Sequence, residues 1–312
     1  MQNDKKSKHI TTDIDSLVLL YPDSVPLLIQ HGNKMLEEYQ FERALNDGAK
    51  ALRLDSNNLE ARLLYANVIN NQPGRSVNDI MTAQNHFLYI LKKQTKNVGA
   101  MVSLATTYSQ QMDFENSFLY LNKALRINPK YRDAYVLKGT NYLHLNDMKL
   151  AKSSYQTAID QDPSFFEAYL MLGSIYQAEN NKICLEYYKT AADLKPKNND
   201  VLYALAFAKQ IFNETEEAKA IYRQMIQQDT SYSQALFQLG YIKQWSDKDI
   251  DSAMYFYSST IQTTPNYVEA WHNLGICYLE KGDKPKAQQA FRKALTFNPD
   301  FELSKELIKK AQ

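Results

Sequence analysis

The chain has 312 residues, 44% of them apolar, which is enough for a folded core in two ordinary domains or one elongated array and excludes a disordered protein. Its 36 Lys and Arg against 35 Asp and Glu leave a net charge of +1, without the basic coat that tracks a phosphate backbone, so nucleic acid is not expected as a partner. Nine glycines, nine prolines and 22 tyrosines favour helices joined by short turns over strand-rich architectures.

The first segment, MQNDKKSKHITTDID, is charged at its start and is followed by no apolar stretch or small-residue cleavage site. It is expected to be a polar arm, not an intact signal peptide. Asp13–Ser24, DIDSLVLLYPDS, ends in aromatic-Pro-Asp punctuation and reads as a short helix covering the helical segment next to it, so residues 1–24 form an arm with a capping segment. No window approaches roughly 18 consecutive apolar residues, so no membrane-spanning helix is expected.

From residue 25 the sequence repeats. AYVLKGTNY (134–142), AYLMLGSIY (168–176) and AWHNLGICY (270–278) share one pattern, and the register extends to eight units with a basic period of 34 residues: 25–58, 59–97, 98–131, 132–165, 166–198, 199–232, 233–267 and 268–301. A fixed period of this size marks a repeat array. Each unit holds two amphipathic helical patterns. The first has a large residue at position 4 (Tyr135, Tyr169, Trp271) and a small one at position 8 (Gly139, Gly173, Gly240, Gly275; Ala66, Ala105, Ala206). Glycine inside a helix costs up to about 1 kcal/mol against alanine, so its recurrence calls for a packing reason, read here as close helix approach. The second helix has a small residue at 20, an aromatic or Leu at 24 and often Ala at 27, and Pro129, Pro163, Pro196, Pro265 and Pro299 close five units.

Departures are local. NNQPGRSVND (70–79) adds about five residues and is expected to bulge as a loop, ENNKIC (179–184) drops one residue, and QWSDKDID (244–251) gains one. The tail FELSKELIKKAQ is expected to form a C-terminal capping helix over 302–312, with Leu303, Leu307, Ile308 and Ala311 covering the last repeat.

This pattern resembles the tetratricopeptide repeat. Residues 268–301 carry its signature through Trp271, Leu274, Gly275, Tyr278, Ala287, Phe291, Ala294 and Pro299, and the likeness runs over roughly 25–301. The resemblance implies an all-α fold, a right-handed superhelical solenoid of about eight helix-turn-helix repeats, acting as a non-enzymatic protein–protein interaction scaffold. It also implies that positions 2, 5, 9, 12 and 13 face a concave groove. Position 2 contains no Lys or Arg, so the family's clamp for the C-terminal carboxylate of chaperone tails is not expected. Positions 5 and 9 turn aromatic in the last three units: Tyr203, Phe207, Phe237 and Tyr241 form a candidate partner-binding patch, extended by His272 and Ile276. Burial against neighbouring helices or under the tail is the alternative for these side chains.

No catalytic or metal-binding pattern emerges from His9, His31, His86, His144 and His272, and no phosphate-binding glycine loop is present, so neither an enzyme, a cofactor, a metal nor a small-molecule substrate is expected. Cys184 and Cys277 belong to no pair and read as packed thiols. Asn213-Glu214-Thr215 fits the spacing of a glycosylation acceptor but reads as a chance match in an inter-helix turn. The expected partner is a protein or peptide, with oligomeric state open. The chain also resembles the mature part of bacterial tetratricopeptide lipoproteins, in which a lipidated cysteine precedes a short polar arm. That likeness implies membrane contact through an N-terminal anchor and an envelope or periplasmic location, against a cytoplasmic one if Met1 is the native start.

Overall fold

The computed structural model describes residues 13–310; residues 1–12 of the polar arm and Ala311 of the tail lie outside the described residues. All regular elements among the described residues are α-helices, and none of these helices is long and apolar enough to cross a membrane. The chain divides into two compact units, one running to Asp162 and the other starting at Pro163.

The first unit opens with α1 (Ile14–Leu20), followed by four antiparallel pairs: α2 and α3 (Val25–Glu37, Phe41–Leu54), α4 and α5 (Leu59–Asn71, Val77–Lys93), α6 and α7 (Val98–Gln110, Phe114–Ile127), and α8 and α9 (Arg132–His144, Met148–Gln161). The second holds α10 and α11 (Phe166–Ala178, Cys184–Leu194), α12 and α13 (Asn199–Ile211, Thr215–Gln228), α14 and α15 (Ser233–Trp245, Ile250–Thr263), α16 and α17 (Val268–Glu280, Lys284–Phe297), and α18 (Glu302–Lys310).

Local chemistry sets the helix ends. Asp113, Asp147, Asp249 and Asp283 cap α7, α9, α15 and α17 by accepting from the backbone N–H groups of Asn116, Leu150, Ser252 and Lys286. The residue just before each cap is left-handed: Met112, Asn146, Lys248 and Gly282, with φ of 61°, 59°, 56° and 79°. Glycine takes this conformation without strain and asparagine with little, whereas a residue such as Met112 loses roughly 1–2 kcal/mol to it. At the other end, α7, α9, α11, α15 and α17 stop two residues before a proline. The position-4 aromatics then fasten the corner, with Tyr135 Oη, Tyr169 Oη and Trp271 Nε1 donating to the carbonyls of Pro129, Pro163 and Pro265 at 2.9, 3.1 and 2.8 Å.

The position-8 glycines have a sharper purpose than close approach of two backbones. A Cβ at Gly139, Gly173, Gly240 or Gly275 would fall 2.8, 2.6, 2.8 and 2.5 Å from the ring of Tyr155, Tyr188, Tyr257 and Phe291, the position-24 residue of the same pair. Each glycine makes room for a ring. Tyr155, Tyr222, Tyr257, Phe87 and Phe291 are fully buried, and each contributes roughly 1.5–3 kcal/mol by leaving water.

The length changes divide between loop and helix. After Asn71 a five-residue connection leads to Ser76, whose hydroxyl and Asp79 form a reciprocal capping box, and α5 then extends to 17 residues where α3, α7 and α9 have 14. In the opposite sense α11 shortens to 11 residues. At the N-terminal end, α1 is held by Asp15 to Lys34 Nζ at 3.1 Å and to His31 Nε2 at 3.1 Å, while His31 Nδ1 meets Asp47 at 2.5 Å. At the other end α18 differs from the expected cap. Leu303 is 58% exposed, and Ser304 is the residue it buries. Leu307 and Ile308 are half-buried.

Candidate functional site

Three first helices of the second unit, α12, α14 and α16, present Tyr203, Phe207 and Ile211; Phe237, Tyr241 and Trp245; and His272 and Ile276 at four-residue steps, so each series lies along one helix face. All of these but Tyr203, together with Phe301 and Leu303 at the start of the last helix, line a trough of about 650 Å³. Tyr203 stands just beside it, in an adjoining hollow shared with Phe207, Ile211, Gln177 and Tyr188.

The candidate residues divide into two layers. Position 5 forms the floor: Tyr203, Phe237 and His272 lean on the position-24 rings of Tyr222, Tyr257 and Phe291 at centroid distances of 6.1, 5.7 and 5.6 Å. Position 9 rises from it. Phe207 stacks on Tyr203 at 5.9 Å and Tyr241 is 42% exposed beside Trp245, itself 43% exposed. His272 is only 8% exposed, its Nδ1 2.9 Å from Ser304 Oγ and its ring edge-on to Phe301 at 5.2 Å. The tail therefore covers the imidazole that was expected to extend the open patch. Burial lowers its pKa from the ordinary histidine value, with the Glu269 carboxylate acting in the opposite sense.

Beneath the aromatic layer runs an amide network that position-by-position reading of the groove missed. Gln177, Gln210 and Gln244, all at position 12, accept hydrogen bonds from the buried hydroxyls of Tyr188, Tyr222 and Tyr257 at 2.9, 3.1 and 2.9 Å. Burial pushes the Tyr188 phenol up to about 12 and those of Tyr222 and Tyr257 higher still, so all three remain neutral donors. The network crosses between pairs: Gln210 Nε2 donates to Gln238 Oε1 at 3.3 Å, Gln238 Nε2 to Tyr203 Oη at 3.1 Å, and Asn273 Nδ2 to Tyr257 Oη at 3.2 Å. The signal was present in the sequence, because Gln at position 12 accompanies Tyr at 24 in three of the four units with that Tyr, while Leu279 accompanies Phe291, which has no hydroxyl to satisfy; in the fourth unit Leu143 is at position 12 and Tyr155 Oη meets Thr140 Oγ1 at 3.0 Å instead. Trp245 was also missed, although it continues the Phe237–Tyr241 step by four.

Other sequence candidates are structural in place. Asn213 is the left-handed residue of the α12–α13 turn, with φ of 62°. Both cysteines are buried, and burial pushes the Cys277 thiol up to about 12, far from reactivity at neutral pH. Among the described residues no group of three or more His, Cys, Asp or Glu is arranged to hold a metal ion.

Comparison with known proteins agrees with this architecture. Tetratricopeptide repeat models match residues 98–131, 133–165 and 268–301. Protein O-mannosyl-transferase TMTC3 of Homo sapiens is 25% identical over 219 residues, covering 70% of this chain and 22% of that protein. Tetratricopeptide repeat protein 6 of Homo sapiens is 28% identical over 195 residues, covering 61% of this chain and 37% of that protein. The chain thus spans well under half the length of either relative. In fold, it is similar to the C-terminal part of a TPR repeat-containing protein from Cytophaga hutchinsonii, with a TM-score of 0.63, 17% identity, and coverage of 78% of this chain and 98% of that one. With paired helices throughout, the glycine-and-ring packing of each pair and three units matched by the family's own models, the chain is a tetratricopeptide repeat protein of all-α solenoid fold.

Proposed function

We propose that this chain is a non-enzymatic protein–protein interaction scaffold whose second unit binds an extended peptide or a helix of a partner in the aromatic trough. The repeat family and the tetratricopeptide relatives support the scaffold reading. The observation that carries the trough is the exposure of Tyr241 and Trp245 over a floor whose polar groups are already hydrogen-bonded to one another. Aromatic surface held on a rigid helix face gives contact area at little entropic cost, which is the economy of a binding hot spot. In this reading the eight units over 25–301 form the platform, with residues 1–24 and 302–312 as its end segments. The similarity to a protein named as a transferase lies in 22% of that protein's length and carries no catalytic claim here.

The test is affinity capture with the full chain and with Phe207→Ala plus Tyr241→Ala, both checked for helical content. Loss of the captured partner in the variant is expected. Equal recovery by the two, with the fold intact, refutes the trough as the binding surface. An envelope-tethered form would carry the same trough, and an upstream apolar segment ending in a small-residue-Cys motif would assign the protein to that location.

A further inference from the structure

The trough reading leaves the chemistry of the occupant open, and the charges around the trough bear on it. Glu167, Asp200 and Glu269 each occupy the second residue of a first helix, α10, α12 and α16, with Gln234 in the same place on α14. Asp200 and Glu269 are exposed and Glu167 is half-buried. Cations near the opposite helix ends are otherwise engaged: Lys209 is bonded to Glu214 at 2.6 Å, and Lys243 to Asp247 and Asp249 at 3.1 and 3.5 Å. None of the three position-2 carboxylates has such a partner among the described residues. Glu269 is the one carboxylate lining the trough, whose lining includes no lysine or arginine among the described residues.

Resting on the trough reading, we infer that the occupant is a protein segment bearing an arginine or lysine beside an apolar anchor, with the cation at the Glu269 edge. Aromatic side chains share the trough with that carboxylate, Phe237, Tyr241 and Phe301 among them. Tyr267, two residues before Glu269, stacks on Phe237 at 4.9 Å. A carboxylate lining the same trough as an exposed aromatic ring suits a guanidinium, which can pair with the one and stack on the other. Helix dipoles make an acid stable in a first turn, yet they act through the backbone and leave the outward carboxylate oxygens free to accept from a partner. Polarity follows as well. Lys248 Nζ lies 5.7 Å from the Trp245 ring, so one end of the trough rim already holds a cation and repels a second. The segment is thereby oriented, basic side chain toward Glu269 and apolar anchor toward Tyr241 and Trp245. This is the reverse of a carboxylate clamp, which needs cations where this chain has acids.

The experiment pans a displayed library of random peptides of about twelve residues, a length spanning some 40 Å extended, against the immobilised full chain. Enriched sequences are then synthesised and measured by fluorescence anisotropy at low and high salt. Expected are sequences pairing Arg or Lys with an aromatic or large aliphatic residue, binding that weakens with salt, and a loss of about three- to fivefold in affinity for Glu269→Gln, the scale of one rim ion pair. Acidic or neutral sequences that need Tyr241 but ignore Glu269→Gln overturn the cationic occupant and leave the trough reading standing. If no peptide loses affinity in Phe207→Ala plus Tyr241→Ala, the trough reading falls and this inference with it.

Discussion

Substituting Gly275 by alanine sets two known effects against each other in one place. Alanine gains about 1 kcal/mol of helix propensity over glycine at an interior position. Against this, the new Cβ would lie 2.5, 2.7 and 2.9 Å from three atoms of the Phe291 ring, when ordinary contact begins near 3.4 Å. The ring must retreat by about 1 Å, and Phe291 is fully buried with His272 packed on it at 5.6 Å. Overpacking of this kind costs about 1–3 kcal/mol, so the net expectation is a loss of about 1 kcal/mol. The chain contains its own control: Ala66 with Phe87 and Ala206 with Tyr222 combine alanine and a ring, and α4–α5 and α12–α13 are the pairs that pack least closely. Ala105 instead faces Leu121, and α6–α7 packs closely. Gly275→Ala should therefore loosen α16 against α17, and adding Phe291→Leu should recreate the Ala105–Leu121 combination and restore the close spacing. Repeat arrays need not unfold in one step, so the assay is amide hydrogen exchange resolved to α16 and α17, alongside denaturant midpoints. A single alanine variant with unchanged or higher protection in both helices would refute the ring-cradle account of the glycine.

Three further outcomes are expected from the same geometry. Tyr257→Phe removes the hydroxyl that donates to Gln244 and accepts from Asn273, and is expected to cost about 1–3 kcal/mol in chemical denaturation, as buried amides lose a partner. Lys182 and Lys209 hold the Glu214 carboxyl down at about 2 against an ordinary 4.5, so its contribution to stability is complete above 4.5 and is lost as pH falls toward 2; a Glu214→Gln variant should show a flatter stability-versus-pH curve in that window. Met112→Asn relieves a left-handed residue in an exposed turn and should raise the melting midpoint of the first unit, by roughly 0.5–1 kcal/mol of stability.

Periodicity made the helix pairs, their caps and the glycine column legible, because these depend on local spacing and turn chemistry. It could show which residues share a helix face, but not which neighbour that face meets. Gly275 was thus readable as a place of tight packing, while its partner, a ring from the second helix, was not. The same limit divides the candidate patch. Phe207 and Tyr241 rise from the floor, whereas His272, at an equivalent position to Tyr203 and Phe237, is covered by a helix whose amphipathic pattern pointed to Leu303, Leu307, Ile308 and Ala311 as its covering residues; of these Leu303 is exposed and Leu307 and Ile308 are half-buried. That short helix instead buries a serine hydrogen-bonded with His272, a polar contact that hydrophobic patterning does not weigh.

The amide network has a direction. Tyr222 gives its proton to Gln210, Gln210 gives one of its own to Gln238, and Gln238 gives one to the oxygen of Tyr203. Reversing Gln238 would set its amide nitrogen against that of Gln210, and reversing Gln210 would set two amide oxygens together, so the orientation of each amide is tied to that of the other. The relay ends with the hydrogen of Tyr203 unspent, at the lip of the hollow beside the trough. Three hydrogen bonds thus connect a tyrosine locked in the core to one lining the hollow, whose hydroxyl keeps its hydrogen to give.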